Sequence, residues 1–292
     1  MPVKFGTAGN PSSFFEMGYR GLSDLPAYLK TFELEAYEYQ GGRGVRASAE
    51  KIREFGKLMV ENEITLSVHA PYYISLSSVD EKKRLNSVEY ILQTARAAKE
   101  MGAERIVVHA GSCSKISRSQ ALTFAEETLK IALQQLERNE LRGIHICPET
   151  MGKINQLGTL DEVLEMCLLD ETMIPCVDFG HIDARGQGAL PDEQSFKQLF
   201  EAVEDKLGNQ RMKDMHMHFS RVEFTKGGER RHLTFKDTAF GANFEDLINV
   251  VIKKHCEPVI ICESSGTQAE DAKTMRDYYY ATIPKFPQRR DY

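Results

Sequence analysis

Residues 105–111 read Arg105-Ile106-Val107-Val108-His109-Ala110-Gly111. A short β-branched run of this kind is the length of a buried strand, and it stops on an imidazole and a glycine. Residues 88–101 before it and 119–136 after it space their apolar side chains as amphipathic helices do. A strand between two helices cannot form a hairpin with its neighbours, so the unit calls for parallel strands joined by helical crossovers. The same unit recurs along the chain. Strands are expected at residues 3–8, 31–39, 65–70, 105–110, 143–150, 175–183, 213–220 and 258–264. Further helices are expected at 48–62, 159–169, 193–207, 243–254 and 269–280. Ser48 ahead of Lys51 reads as an N-cap, and Thr159 with Glu162 as a capping box. Eight strand–helix units close naturally into an α/β fold of the (β/α)8 TIM-barrel type. An open doubly wound sheet is the alternative architecture.

The 292 residues carry 37 basic and 43 acidic side chains, a net charge of −6. That balance argues against a strongly basic nucleic-acid binder, although it leaves room for a local basic rim. An apolar content of 41% supports a sizeable core and argues against disorder. One barrel domain over residues 1–292 is expected, since such barrels commonly run to about 250 residues. No apolar run approaches the ~18 residues of a membrane span. The opening Met1-Pro2-Val3-Lys4-Phe5-Gly6 lacks a charged-then-apolar leader pattern, so a cytoplasmic protein is expected. The six cysteines form no C-x-x-C pair, and Cys147, Cys176 and Cys262 sit in apolar strand-like runs as buried thiols. Neither G-x-G-x-x-G nor G-x-x-x-x-G-K-[ST] occurs, so no nucleotide cofactor is expected. Residues 226–242 read as a long loop after strand seven, and the Pro284-to-Arg290 end as a peripheral tail.

The chemistry lies at the strand ends. His69 closes strand three, His109 strand four and Glu149 strand five. Asp178 and His181 close strand six, His216 and His218 strand seven, and Glu263 strand eight. In a barrel these ends converge on one face, where barrel active sites are built. Imidazole and carboxylate together are a ligand set for zinc, manganese or iron. So many of them crowded together would be costly without cations, and a polynuclear metal centre answers that cost. His216 and His218 are two apart and can share a face. His216 is the expected ligand and His218 the alternate. His145 reads as a core histidine and His255 as a helix-end residue.

As a set, His69-Ala70-Pro71-Tyr72, His109-Ala110-Gly111, Pro148-Glu149-Thr150, Asp178-Phe179-Gly180-His181 and Glu263-Ser264 resembles endonuclease IV. That family comprises the metal-dependent apurinic/apyrimidinic-site endonucleases of the xylose-isomerase-like barrel superfamily. The resemblance covers residues 3 to about 282. It implies two or three metal ions, usually zinc, in the barrel mouth. His69 and His109 would hold one. Glu149 would bridge it to a second, completed by Asp178, His216 and Glu263. His181 and His232, from the loop after strand seven, would hold the third. It also implies hydrolysis of the phosphodiester bond 5′ to an abasic site by a metal-activated hydroxide, with Glu149 as the catalytic residue that orients the water. The implied partner is double-stranded DNA with abasic sites, bound by a monomer.

Two departures stand out. The family's third-metal loop has Asp-x-His, whereas this chain reads Glu229-Arg230-Arg231-His232, with a non-ligand at the aspartate position and Glu229 as a substitute one residue further away. After strand two the family's basic-aromatic recognition loop is replaced by Gln40-Gly41-Gly42-Arg43-Gly44-Val45-Arg46. Tyr72 matches a DNA-contacting tyrosine of the family and could stack on an extrahelical site. Arg43, Arg46, Arg230 and Arg231, with Lys226 and Lys236, are candidate phosphate contacts. A sugar isomerase or epimerase of the same superfamily is the second functional reading, and a non-catalytic metal-binding scaffold the third.

Overall fold

The computed structural model describes residues 3–283. Its barrel strands are β1 (Lys4–Ala8), β2 (Ala36–Gln40), β3 (Thr65–His69), β4 (Arg105–Val108), β5 (His145–Pro148), β6 (Cys176–Asp178), β7 (His216–Phe219) and, after an intervening pair, β10 (Val259–Cys262). These eight run parallel around a nearly closed barrel in the order β5-β4-β3-β2-β1-β10-β7-β6. A parallel bridge between Glu149 and Cys176 joins β5 to β6 and brings the sheet's two edges together. The intervening pair stands outside the barrel: β8 (Val222–Thr225) and β9 (Gly228–His232) form an antiparallel hairpin after β7. The expected tail from Pro284 to Arg290 lies outside the described residues.

Helices cover the barrel between the strands, and their ends follow the sequence. Ser48 accepts the Lys51 amide at 3.4 Å and caps the helix Ala49–Glu61. Thr159 and Glu162 form the reciprocal capping box of the helix Leu160–Cys167. Among the described residues no helix is long and apolar enough to cross a membrane.

Strand two begins later than its sequence suggests. Residues Leu25–Thr31 form a helix with proline in its first turn, and its Tyr28 and Leu29 are buried in the core. Glu33 then takes a positive φ of 56°, and β2 starts only at Ala36. Strand six is shorter than expected: it stops at Asp178, whose carboxylate caps the helix Phe179–Arg185 by accepting the His181 amide at 2.8 Å. His181 therefore sits in a helical first turn and not on a strand.

The barrel interior is layered. Side chains two residues apart share a face, so Glu38, Ser67, Cys176 and His216 lie in one layer, all buried. His69, Glu149, Asp178 and His218 lie one step nearer the C-terminal mouth, also buried. This second layer is the floor of the site.

Helix packing depends on one glycine. A Cβ on Gly56 would come within 2.3 Å of the Met101 carbonyl oxygen on the neighbouring helix Glu81–Met101. Alanine has the higher helix propensity by about 1 kcal/mol, but the backbone clash outweighs it. Gly56→Ala should lower the urea midpoint by an amount corresponding to about 1–3 kcal/mol. An unchanged or raised midpoint would show that the two helices can move apart freely.

Candidate metal centre

Glu149 stands at the middle of the mouth, buried, with its two oxygens facing different neighbours. Oε2 lies 2.8 Å from His109 Nε2 and 3.3 Å from His69 Nε2. Oε1 lies 3.4 Å from His218 Nδ1 and 3.5 Å from His181 Nδ1. Glu263 is shared in the same way: Oε1 is 3.5 Å from His218 Nδ1 and Oε2 is 4.0 Å from His232 Nδ1. Three ligand groups result, the donor atoms of each within 4.8 Å of one another: His69, His109 and Glu149; Glu149, Asp178, His218 and Glu263; and His181, His232 and Glu263.

These groups fit divalent metal ions. The donors are imidazole nitrogens and carboxylate oxygens, the set that zinc, manganese and iron accept. Asp178 Oδ2 and His218 Nδ1 are buried and have no hydrogen-bond partner. A buried polar atom without a partner is costly, and a cation among these groups would satisfy both. The electrostatics agree. Burial works against ionising Glu149, yet the imidazoles of His109, His218 and His69 hold its carboxyl well below the usual range. Burial likewise disfavours a charged His69, but Glu149, Glu38 and Glu263 raise it to about 9. For His181, burial is outweighed by Asp178, Glu149, Glu229 and Glu263, which also raise it to about 9.

The structure sets the two strand-seven histidines at different depths. His216 lies one layer below the mouth, where its Nε2 hydrogen-bonds Glu38 Oε2 at 2.9 Å. Burial lowers it to about 4, against the pull of Glu38. His218, two residues further along β7, reaches Glu149 and Glu263 instead. His216 does lie near Cys176 and His218 in a further buried group with donor atoms within 4.8 Å.

The expected loop after strand seven is a hairpin, and it brings the third group together. Val222 pairs with His232 and Glu223 with Arg231, but Phe224 pairs with Glu229. Arg230 is therefore the extra residue of a β-bulge, a device that re-aims side chains beside active sites. Residues three apart on a regular strand face opposite sides. The bulge puts Glu229 and His232 on the same cavity wall, where Glu229 Oε2 comes within 3.5 Å of His181 Nε2. The hairpin is fastened in place. Glu229 N–H donates to Gly152 O at 3.1 Å, and Ile154 N–H to Gly227 O at 3.1 Å. Arg185 and Arg118 donate in turn to the carbonyls of residues 151, 153, 154 and 156. His232→Ala should remove one metal ion per chain, and Glu229→Ala should weaken binding of the same ion, both read by metal analysis after dialysis. A full count in His232→Ala would show that the hairpin holds none.

The cavity over these groups measures about 410 Å³. Tyr72, 61% exposed, forms part of its wall, together with Gln40, Lys153 and Gln156, which the sequence did not single out. Arg43 and Arg46 are exposed on the loop after β2. Arg230 and Arg231 are exposed as well, and both pair with Glu223 across the hairpin. His145 is half-buried, with Nδ1 2.6 Å from Thr172 O. His255 follows the helix Phe244–Lys253 with a positive φ of 53°. Glu38 was also missed; a charged residue between Tyr37 and Tyr39 in a strand was the available signal.

A protein of Methanocaldococcus jannaschii named only as uncharacterized is 34% identical over 277 residues, 94% of this chain and 96% of that protein. A probable endonuclease 4 of Acholeplasma laidlawii is 28% identical over 69% of this chain and 68% of its own. Among solved structures, a D-tagatose 3-epimerase-like protein superposes with a TM-score of 0.71 at 21% identity, covering 96% of this chain and 97% of its own. Endonuclease IV from Thermus thermophilus superposes with a TM-score of 0.66 at 17% identity, covering 95% and 99%. At those identities the likeness is one of fold. Residues 26–280 match the family described as xylose isomerase-like TIM barrel, and with the barrel and its mouth as described, the chain belongs to that family.

Proposed function

We propose that this protein is a metal-dependent phosphodiesterase of the endonuclease IV kind, which cuts duplex DNA 5′ to an abasic site. The observation that carries the reading is the sharing of Glu149 and Glu263 between ligand groups. A mouth in which two carboxylates each serve two groups suits two or three ions, with zinc the first choice and manganese or iron next. Such ions, when bound, activate water and neutralise a phosphate during in-line displacement. The probable endonuclease 4 of Acholeplasma laidlawii supports the same reading.

The chain's own residues then divide the work. His69, His109, Asp178, His181, His218, His232, Glu229 and Glu263 would hold the ions, and Glu149, shared by two groups, would orient the attacking water. Tyr72 stands at the mouth to stack on the opened site. Lys153 is exposed on the cavity wall and makes no ion pair among the described residues, so its ammonium would be available to a phosphate. Arg43 and Arg46 contact the flanking backbone from the loop after β2, and Arg230 and Arg231 do so from the hairpin, where Glu223 tempers their charge.

The second reading is a sugar epimerase. It is favoured by the central group of Glu149, Asp178, His218 and Glu263, which is enough for one metal by itself. The test is nicking of a duplex oligonucleotide that carries one abasic-site analogue, with zinc-loaded protein. A single cut 5′ to the lesion, ending in a 3′-hydroxyl, is expected. Intact DNA with metals confirmed bound would overturn the phosphodiesterase, and a screen of ketoses would then test the epimerase.

A further inference from the structure

Glu38 has no place in the ligand groups, yet it is fully buried on β2 directly beneath them. It is a hub. Ser67 Oγ donates to its Oε2 at 2.8 Å, and His216 Nε2 lies 2.9 Å from the same oxygen. His218 Nε2 lies 3.2 Å from Oε1 and 3.4 Å from Oε2.

The two ring nitrogens of His218 thus face opposite ways. Nε2 faces Glu38, and Nδ1 faces Glu149 and Glu263. A neutral imidazole carries one N–H, and the nitrogen that keeps it is set by its hydrogen-bond partner. A carboxylate accepts only, so with a cation among Nδ1, Glu149 and Glu263, Glu38 would keep the proton on Nε2 and leave the Nδ1 lone pair for that cation. The other histidines of the mouth are tied differently. His69 Nδ1 and His181 Nδ1 each lie 2.9 Å from a backbone carbonyl, of Ala70 and Thr150 respectively. His232 Nδ1 lies 2.8 Å from the Ser220 hydroxyl. Among these four, only His218 has a carboxylate from outside the three ligand groups, that of Glu38, against the ring nitrogen turned away from the mouth.

We infer that Glu38 is a positioning residue: it orients His218, fixes its tautomer, and strengthens its Nδ1 as the ligand of the central metal. The inference rests on the metal centre proposed above but not on the substrate assigned to it. Outer partners of metal-binding histidines typically account for 10–100-fold in metal affinity. Glu38→Gln keeps the shape but replaces one oxygen with a donor, which favours the reversed tautomer of His218. One zinc of the set should then be lost to a chelator about 10–100-fold more readily than in the parent, with the others unchanged. Ser67→Ala, which keeps the carboxylate, should retain the parental count. Equal retention of every zinc by Glu38→Gln and the parent would overturn the inference.

A second measurement reads the zinc-loaded parent itself. In the zinc-loaded parent with ¹⁵N-labelled histidine, the His218 signal, identified by its loss in His218→Ala, should report zinc on Nδ1 and the proton on Nε2. Zinc on Nε2, or a parent that takes up no zinc, would overturn the inference. Neither readout uses DNA, so protein with this tautomer and no nicking would refute the phosphodiesterase alone.

Discussion

Glu149→Gln should lower nicking of abasic-site DNA by at least about 10³-fold and reduce the metal content by one ion or more, with the circular dichroism spectrum unchanged. The reason lies in the two oxygens. Oε2 faces His69 and His109 while Oε1 faces His181 and His218, so one carboxylate serves two ligand groups. A carboxamide keeps a single neutral acceptor and places an N–H donor where the other group needs an anion. Metal activation is worth several kcal/mol of barrier, and about 4 kcal/mol corresponds to the stated factor. Volume and shape hardly change, so the fold should survive. A Glu149→Gln protein with a full metal count and a tenth or more of the parental rate would sink the bridging role.

The strand-seven pair gives the second large contrast. His218→Ala should lose the central ion and with it the nicking activity, to a similar extent. His216→Ala should keep the full metal count. Its cost should fall on stability, because removing His216 takes a hydrogen-bond donor from the buried Glu38 carboxylate. Loss of one partner from a buried charged group costs about 3 kcal/mol, which a urea titration of the zinc-loaded protein would register. A metal lost from His216→Ala with stability unchanged would reverse the two assignments and place an ion among Cys176, His216 and His218.

The barrel was legible because two periodicities alternate along the chain and because ligand-type residues close successive apolar runs. The membership of the site was nearly legible for the same reason. The choice between His216 and His218 was not. It depends on how far β7 is raised along the barrel axis, and that stagger is set by pairing with β6 and β10, far away in sequence. The hairpin hid for another reason. Gly227-Gly228 is turn chemistry, but the flanking Glu223, Glu229, Arg230 and Arg231 break the apolar alternation that marks a strand. Strand two was begun too early because Phe32 and Leu34 alternate with polar neighbours as strand side chains do, whereas Thr31 closes a helix and Glu33 takes a positive φ. Glu38 lay inside the expected strand and was not singled out, because its partners His216 and His218 are far away in sequence.

The Arg230 bulge bears on how relatives of this chain should be sought. A search pattern that fixes the interval between acid and histidine rejects the sequence, since the interval here is one residue too long. A pattern that asks which side of the ribbon each residue occupies accepts it. The surplus residue is taken up within the hairpin, and the strands beyond it keep their places. Length variation in this arm is therefore compatible with an intact ligand set, and chains set aside for a miscounted arm are worth reading again by geometry.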